Sequence, residues 1–334
     1  MSQNHENEEH DHFYHYEDGA FECTKPGCNV RKLRNPDGTL RPQNPNIEAI
    51  KDDFLYHLGL GAASHDLVNM FSDVQFVCMG GTSARMEIFA HYIMKEIGHS
   101  LPTGADLQDI TRKSQRFAMY KVGPVLCVSH GMGVPSIGIL LHEIIKLMYH
   151  AKVKNPIFFR IGTCGGIGLE PGTVIVANQA VDEMGNNYYE QKICGKVVKR
   201  PAIVDKRLVN ELLALSKPED SFKVVTGATM CANDFYEGQG RTDGAFCEHS
   251  EEDKMNYLRE LQNKGVKNIE MEATIFAALT YKAGIKSALV NVALVNRLKG
   301  DQVTTPKEVM MEWQNHPQIL VGRYIKKKLS ENKS

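Results

Sequence analysis

Four short stretches of the sequence combine residue types that can hold an anion or read a polar ring. The first is GGTSAR, Gly80 to Arg85, at the end of the apolar run VQFVCMGG over 74–81. Backbone amides where a helix opens, joined by a guanidinium, suit an anion. A tight turn carrying a surface arginine fits the same residues. The second is RIGTCGGIG, Arg160 to Gly168. Arg160 stands near the end of an apolar run, where a cation is costly unless an anion or a carboxylate meets it. Thr163 adds a hydroxyl, and Gly162, Gly165 and Gly166 leave the backbone bare, so the stretch reads as the second half of an anion cradle. The P-loop pattern G-x-x-x-x-G-K-[ST] does not occur, and no correctly placed G-x-G-x-x-G opens a helix.

The third is FYEGQGR, Phe235 to Arg241. Gln239 carries a donor and an acceptor on one amide, and Arg241 is a pure donor. Together, beside the aromatic Phe235, they can read the edge of a pyrimidine with one N–H and its neighbouring carbonyls. A polar surface loop is the other reading. The fourth is NIEMEA, Asn268 to Ala273, where Glu270 and Glu272 alternate with apolar residues. Carboxylates two apart on a strand share a face. One inside an apolar run needs a partner, and a ribose diol would serve. A buried carboxylate capping a neighbouring helix is the alternative.

These stretches need a scaffold, and the hydrophobic pattern supplies one. RMEIFAHYIMKEIG (85–98) puts Met86, Phe89, Ile93 and Ile97 on one helical face. RFAMYKVG and PVLCVSHG (116–131) read as two strands meeting at Gly123-Pro124, a hairpin. PSIGILLHEIIKLMYHA (135–151) opens with proline and stacks Ile137, Leu140, Ile144, Leu147 and Met148. PIFFRIGTCGG (156–166) reads as a strand running into a Gly-rich turn. TVIVANQAV, KVVTGATM, NIEMEA and SALVNVALVN continue the strands, and helices are expected at 251–264, 273–283 and 305–329. Strands apolar almost throughout are buried on both faces. Their alternation with helices predicts an α/β, three-layer α/β/α sandwich around a mixed, largely parallel sheet.

Composition narrows the classes. The chain has 334 residues, is 42% hydrophobic and has a formal net charge of −1. No global field draws it to nucleic acid or an anionic membrane, and no apolar run approaches the roughly 18 residues of a membrane span. The 8 cysteines are scattered with no C-x-x-C spacing, which suits a reducing, cytoplasmic compartment. Residues 1–45 read as a flexible N-terminal extension and 46–334 as one catalytic domain. The extension carries His5, His10, His12 and His15, then Cys23 and Cys28. Their irregular spacing reads as a solvated tail rather than a metal site.

RIGTCGGIGLEPG, CANDFYEGQGRTDG, NIEMEA and FAMYKVGPVLCVSHGMGVPS, in this order and spacing, closely resemble the uridine phosphorylases of the animal type, within the nucleoside phosphorylase family. The resemblance runs from about Asn46 to the C-terminus. It implies reversible phosphorolysis of uridine to uracil and ribose 1-phosphate, as in pyrimidine salvage, with inorganic phosphate as co-substrate and no metal or other cofactor. Carried over motif by motif, it gives Gly81, Arg85, Arg160 and Thr163 to the phosphate. Arg116, in QRFAMYKVG, and His57, in FLYHLGL, match residues lent across a two-fold interface, to the neighbour's phosphate and ribose 5′-OH. Met271 and Glu272 match the ribose pair; Gln239 and Arg241 match the uracil readers, with Phe235 packing beside the ring. Arg241, Gln239, Arg85 and Glu272 are the residues expected to carry catalysis, and a homodimer with shared active sites is implied. Cys164 stands where many relatives carry serine, replacing a hydroxyl by a weaker thiol donor. The competing readings are a purine nucleoside phosphorylase or nucleosidase on the same fold, and a non-catalytic nucleoside-binding protein. The Gln239/Arg241 pair and the complete arginine set argue against both.

Overall fold

In a computed structural model, residues 15–17, 20–22, 33–41 and 43–332 are described. Eight strands form the main sheet: β1 (Phe76–Gly80), β2 (Met119–Val122), β3 (Val125–Ser129), β4 (Ile157–Gly166), β5 (Val174–Val181), β6 (Val224–Cys231), β7 (Val266–Glu270) and β8 (Lys286–Asn296). Their spatial order is β7-β6-β5-β8-β4-β1-β3-β2. The pairs β7–β6, β6–β5, β8–β4, β4–β1 and β1–β3 are parallel; β5–β8 and β3–β2 are antiparallel. The mixed, largely parallel sheet of the sequence reading is therefore present, and β2–β3 is the expected hairpin.

Six longer helices accompany it: α1 (Ser83–Glu96), α2 (Val134–His150), α3 (Lys206–Leu213), α4 (Glu251–Asn263), α5 (Ala273–Lys282) and α6 (Lys307–Glu331). α1 and α3 both touch α6 in one layer, and α2 packs on α5 in the other. The stripe that periodicity assigned to α2 is buried, from Ile137 through Met148. Pro135 sits in its first turn, where a missing N–H costs nothing. Thr82 caps α1 by accepting from the Arg85 backbone amide.

One feature of β4 escaped the pattern reading. Gly165 and Gly166 do not leave the strand in a turn but belong to it. There they pair antiparallel with Ile269 and Asn268 of β7. Since β7 also pairs with β6, the strands β4-β8-β5-β6-β7 return on themselves as a small barrel. Two successive residues without side chains let the strand bend into this closure. A separate apolar cluster fills that end, including Ile167, Met230, Leu258 and Ile269.

The folded body also begins earlier than Asn46. Arg34 donates from Nε to the Gly284 carbonyl and from Nη1 to Asn155, Thr39 bridges Lys154, and Leu40 is buried in the main core. Composition placed these residues in the extension because the segment is polar; the docking rests on a few specific contacts that periodicity does not register. His15–Glu17 and Ala20–Glu22 pair as a short antiparallel ribbon. His5, His10, His12, Cys23 and Cys28 lie outside the described residues. Among the described residues no cluster of three or more His, Cys, Asp or Glu is placed to hold a metal ion, and no helix is long and apolar enough to cross a membrane.

Candidate active site

The chemistry-bearing stretches gather at the ends of β1, β3 and β7 and along β4. Arg160, midway along β4, is 3% exposed. Its Nη1 donates to Asn291 of β8 at 2.7 Å and pairs with Glu270 at 2.8 Å, while Nη2 meets Glu272. Burial works against its positive charge, and Glu270 and Glu272 more than offset that. One guanidinium thus serves two carboxylates, as the cost of an unpaired buried cation requires.

The two glutamates part company in role. Glu270 accepts from the backbone amides of Glu272 and Ala273, closing the first turn of α5. The capping alternative holds for this residue. Burial pushes Glu270 up to about 7, with Arg160 opposing and Glu272 adding repulsion. Glu272 instead spans the site. Its Oε1 accepts from the Gly133 amide at 2.5 Å, at the start of α2, and its other oxygen faces Arg160. Met271, half-buried between them, turns its methyl end toward Gly133.

Arg85 sits in the first turn of α1, its Nε donating to Thr82 at 3.2 Å. Burial lowers its pKa, and Arg160 nearby lowers it further. Two guanidiniums held at close quarters form a site for an anion. Glycine is needed on both sides of it. A Cβ on Gly81 would lie 2.8 Å from Arg85 Nη2, and one on Gly162 would lie 2.5 Å from Arg160 Nη1. Arg85, Gly162 and Thr163 line a common recess with Ile161, Met86, Phe89, Gln314 and Gln318. Gly81, Arg85, Arg160 and Thr163 are therefore brought together.

His130 was not singled out from the sequence, yet it belongs here. Its backbone amide donates to Gly80 at the end of β1, and its ring is 1% exposed with neither nitrogen hydrogen-bonded. Burial drops it to about 3; Glu272 opposes this, and Arg160 and Arg85 reinforce it. The SHG that ends β3 gave no periodic signal to mark it.

The second half of the site is a tight turn. Asp234 accepts from the amides of Tyr236 and Gly238, which winds Glu237–Gln239 into a single 3₁₀ turn. Gln239 and Arg241 both become buried. The Arg241 guanidinium lies over the Phe235 ring at 4.3 Å and donates to the Asp301 carbonyl at 2.9 Å. Arg297 is the other residue the sequence reading missed. Fully buried, it donates to the Gln239 carbonyl at 2.8 Å and to Gln239 Oε1 at 3.3 Å. Its backbone amide donates to Gly166, so β4 ties this half to the arginine cradle. Its signal was a lone arginine after SALVNVALVN, indistinguishable by pattern from a solvated strand end.

His57 and Arg116 are not joined to this network. Among the described residues neither has a hydrogen bond or ion pair to Arg85, Arg160 or Glu272. His57 is held by Glu143 of α2, and its ring lies 6.4 Å from Phe117, the neighbour of Arg116 in sequence. Arg116 is exposed and follows Gln115, whose φ of 55° is uncommon for a residue with a side chain.

Residues 75–326 match the model of the phosphorylase superfamily. Mouse uridine phosphorylase 1 is 50% identical over 305 residues, covering 91% of this chain and 98% of that protein. Human uridine phosphorylase 2 is 47% identical over 287 residues, covering 86% and 90%. The crystal structure of Schistosoma mansoni uridine phosphorylase in complex with uracil superposes with a TM-score of 0.82 at 39% identity, over 86% of this chain and 99% of that one. With its paired arginines, Arg85 and Arg160, and its Gln239–Arg241 turn on this sheet, the chain belongs to the phosphorylase superfamily, among the uridine phosphorylases.

Proposed function

We propose that the chain is a pentosyltransferase that catalyses reversible phosphorolysis of uridine to uracil and ribose 1-phosphate. The observation that carries this reading is the joining, through β4 and Arg297, of a buried arginine–carboxylate cradle to a glutamine–arginine turn. The first suits phosphate beneath a sugar, the second a uracil edge.

Phosphate supplies the nucleophile, so the protein contributes placement and electrostatics. Arg85 and Arg160 hold the phosphate at C1′, with the Gly81 backbone and the Thr163 hydroxyl beside it. Glu272 and Met271 hold the ribose. As the C1′–N1 bond breaks, its electron pair passes to uracil, and a phosphate oxygen bonds to C1′. Gln239 and Arg241 bear the charge spreading over the uracil carbonyls, beside the Phe235 ring. The proton given up by hydrogen phosphate is matched by the one uracil takes up at N1. Guanidiniums bind phosphate without metal, so activity is expected to survive excess chelator.

His57 and Arg116 complete the site of a second copy in a homodimer. That neither bonds to the cradle of its own chain supports this, as do the exposed Phe54 and Tyr56 beside His57. Mixing Arg85→Ala protomers with Arg116→Ala protomers, each inactive alone, is expected to restore activity; mixtures that stay inactive overturn the shared site. The six described cysteines are free, which supports a cytoplasmic, reducing location.

The deciding experiment assays uridine and inosine, each with and without phosphate. Uracil and ribose 1-phosphate are expected only from uridine with phosphate. Cleavage of inosine, or cleavage without phosphate, overturns the reading.

A further inference from the structure

Behind the Gln239–Arg241 turn lies a buried charged network that no step of the reaction uses. Lys254 of α4 is 3% exposed and donates to Asp301 at 2.9 Å; it also pairs with Glu251 at 2.9 Å. Asp301, itself buried, accepts from Arg297 Nε at 2.8 Å with one oxygen and from the Thr242 amide at 3.3 Å with the other. Its backbone carbonyl receives Arg241 Nη1, and Arg297 in turn grips Gln239 at two points. Burial raises the cost of the Asp301 charge, and Lys254 and Arg297 more than offset it.

Stability does not account for these charges, since well-packed apolar residues in place of a buried ion pair are often neutral or better. Geometry does. A guanidinium only donates, so the Gln239 atom facing Arg297 must be the carbonyl oxygen, and the amide nitrogen is turned the other way. An unheld glutamine can rotate its amide by half a turn and exchange donor for acceptor; this one cannot without facing N–H against N–H. The same Asp301 fixes Arg241, a pure donor, from the backbone side.

Resting on the assignment of Gln239 and Arg241 to the base, we propose that Asp301, held by Lys254, is a positioning residue that sets base specificity: it locks the Gln239 amide through Arg297 and Arg241 through its own carbonyl. The locked pair accepts a ring edge with an imide N–H beside carbonyl oxygens: the second lone pair of Gln239 Oε1 takes the N–H, and the Gln239 amide nitrogen and Arg241 donate to the carbonyls. It rejects the amidine edge of cytosine, whose ring nitrogen is an acceptor and whose exocyclic amine is a donor.

The test measures kcat and KM for uridine and cytidine, and KM for phosphate, in Lys254→Met, Lys254→Arg and Asp301→Asn, with thermal midpoints to show folding. Lys254→Met nearly conserves volume and leaves Asp301 paired with Arg297, so it is expected to fold at a lowered thermal midpoint. Loss of the lock should narrow the uridine-to-cytidine ratio of kcat/KM about tenfold, the worth of one charge-assisted hydrogen bond. It should raise uridine KM more than it lowers kcat and leave phosphate KM unmoved, and Lys254→Arg should restore the ratio. A ratio unchanged in the folded Lys254→Met protein, with activity on both substrates reduced alike, overturns the proposal and leaves Asp301 structural. Arg241→Ala measured alongside separates the two readings: normal uridine turnover there overturns the base-site assignment itself.

Discussion

The carboxylate of Glu143 holds His57 from two sides. It accepts from the His57 backbone amide at 3.0 Å and meets the imidazole Nδ1 at 2.6 Å. The adjacent Leu58 amide adds a third contact at 3.0 Å. A carboxylate at Nδ1 places the ring proton there and turns Nε2 outward. Glu143 therefore sets both the tautomer and the aim of the imidazole that we propose reaches a neighbouring subunit's ribose 5′-OH. Glu143→Gln is expected to raise uridine KM about tenfold, the range of one hydrogen bond to a charged group, with phosphate KM unmoved. Steady-state kinetics on 5′-deoxyuridine check the route. The penalty should vanish on a substrate that lacks the hydroxyl, and an equal penalty on both nucleosides removes His57 from that role.

Arg241→Ala is expected to lower turnover ~10²–10³, as for other preorganised donors to developing negative charge, while the fold persists. The residue is buried over Phe235 and bonded to the Asp301 carbonyl. Its loss costs a cation–π contact of about 1 kcal/mol in stability, which a small drop in thermal midpoint should report. Near-normal turnover in a folded Arg241→Ala protein refutes the assignment.

The division of legible from illegible follows the physics. Long amphipathic stripes such as that of α2 announce themselves, because burial of a continuous face is written in residue spacing. Arg160 was legible for the opposite reason: a cation inside an apolar run needs an explanation. His130 and Arg297 were not, because each stands where a strand ends and only tertiary packing makes it buried. The barrel closure at Gly165–Gly166 rests on pairing between β4 and β7, about a hundred residues apart, and two adjacent glycines look like a turn to any local rule. The docking of Arg34 and Leu40 was hidden the same way, in contacts with Asn155, Gly284 and the core.

Glu272 bridges Gly133 and Arg160, whereas Glu270 caps α5. An exchange that keeps the shape and removes the charge separates these roles. Glu272→Gln keeps the size and an acceptor for Gly133 but withdraws negative charge from Arg160, which retains Glu270. Uridine kcat/KM is expected to fall roughly 10²-fold, the lower end for a group that strengthens its hold in the transition state. If Glu272 binds the ribose hydroxyls, the gap between uridine and 2′-deoxyuridine should narrow in this variant. A gap of unchanged width would place Glu272 in support of Arg160 alone.

His130 makes stability respond to acid in a direction that can be worked out. Burial holds its folded pKa at about 3, against about 6.5 in an unfolded chain. Between these values the unfolded chain takes up a proton that the folded chain refuses. The contribution of His130 is therefore fully present above about pH 6.5 and is lost as pH falls toward 3. Glu270, pushed up by burial against the pull of Arg160, acts with the opposite sign: its contribution declines as pH rises above the carboxylate range. Because the two oppose each other, the measurement compares variant with parent, where the Glu270 response is common to both. Thermal midpoints of the parent and of His130→Gln between pH 7 and pH 4 should diverge in slope, the variant losing less stability on acidification. Parallel slopes would mean that the folded imidazole accepts a proton at its ordinary pH, and that the ring is not held dry between Arg85, Arg160 and Glu272.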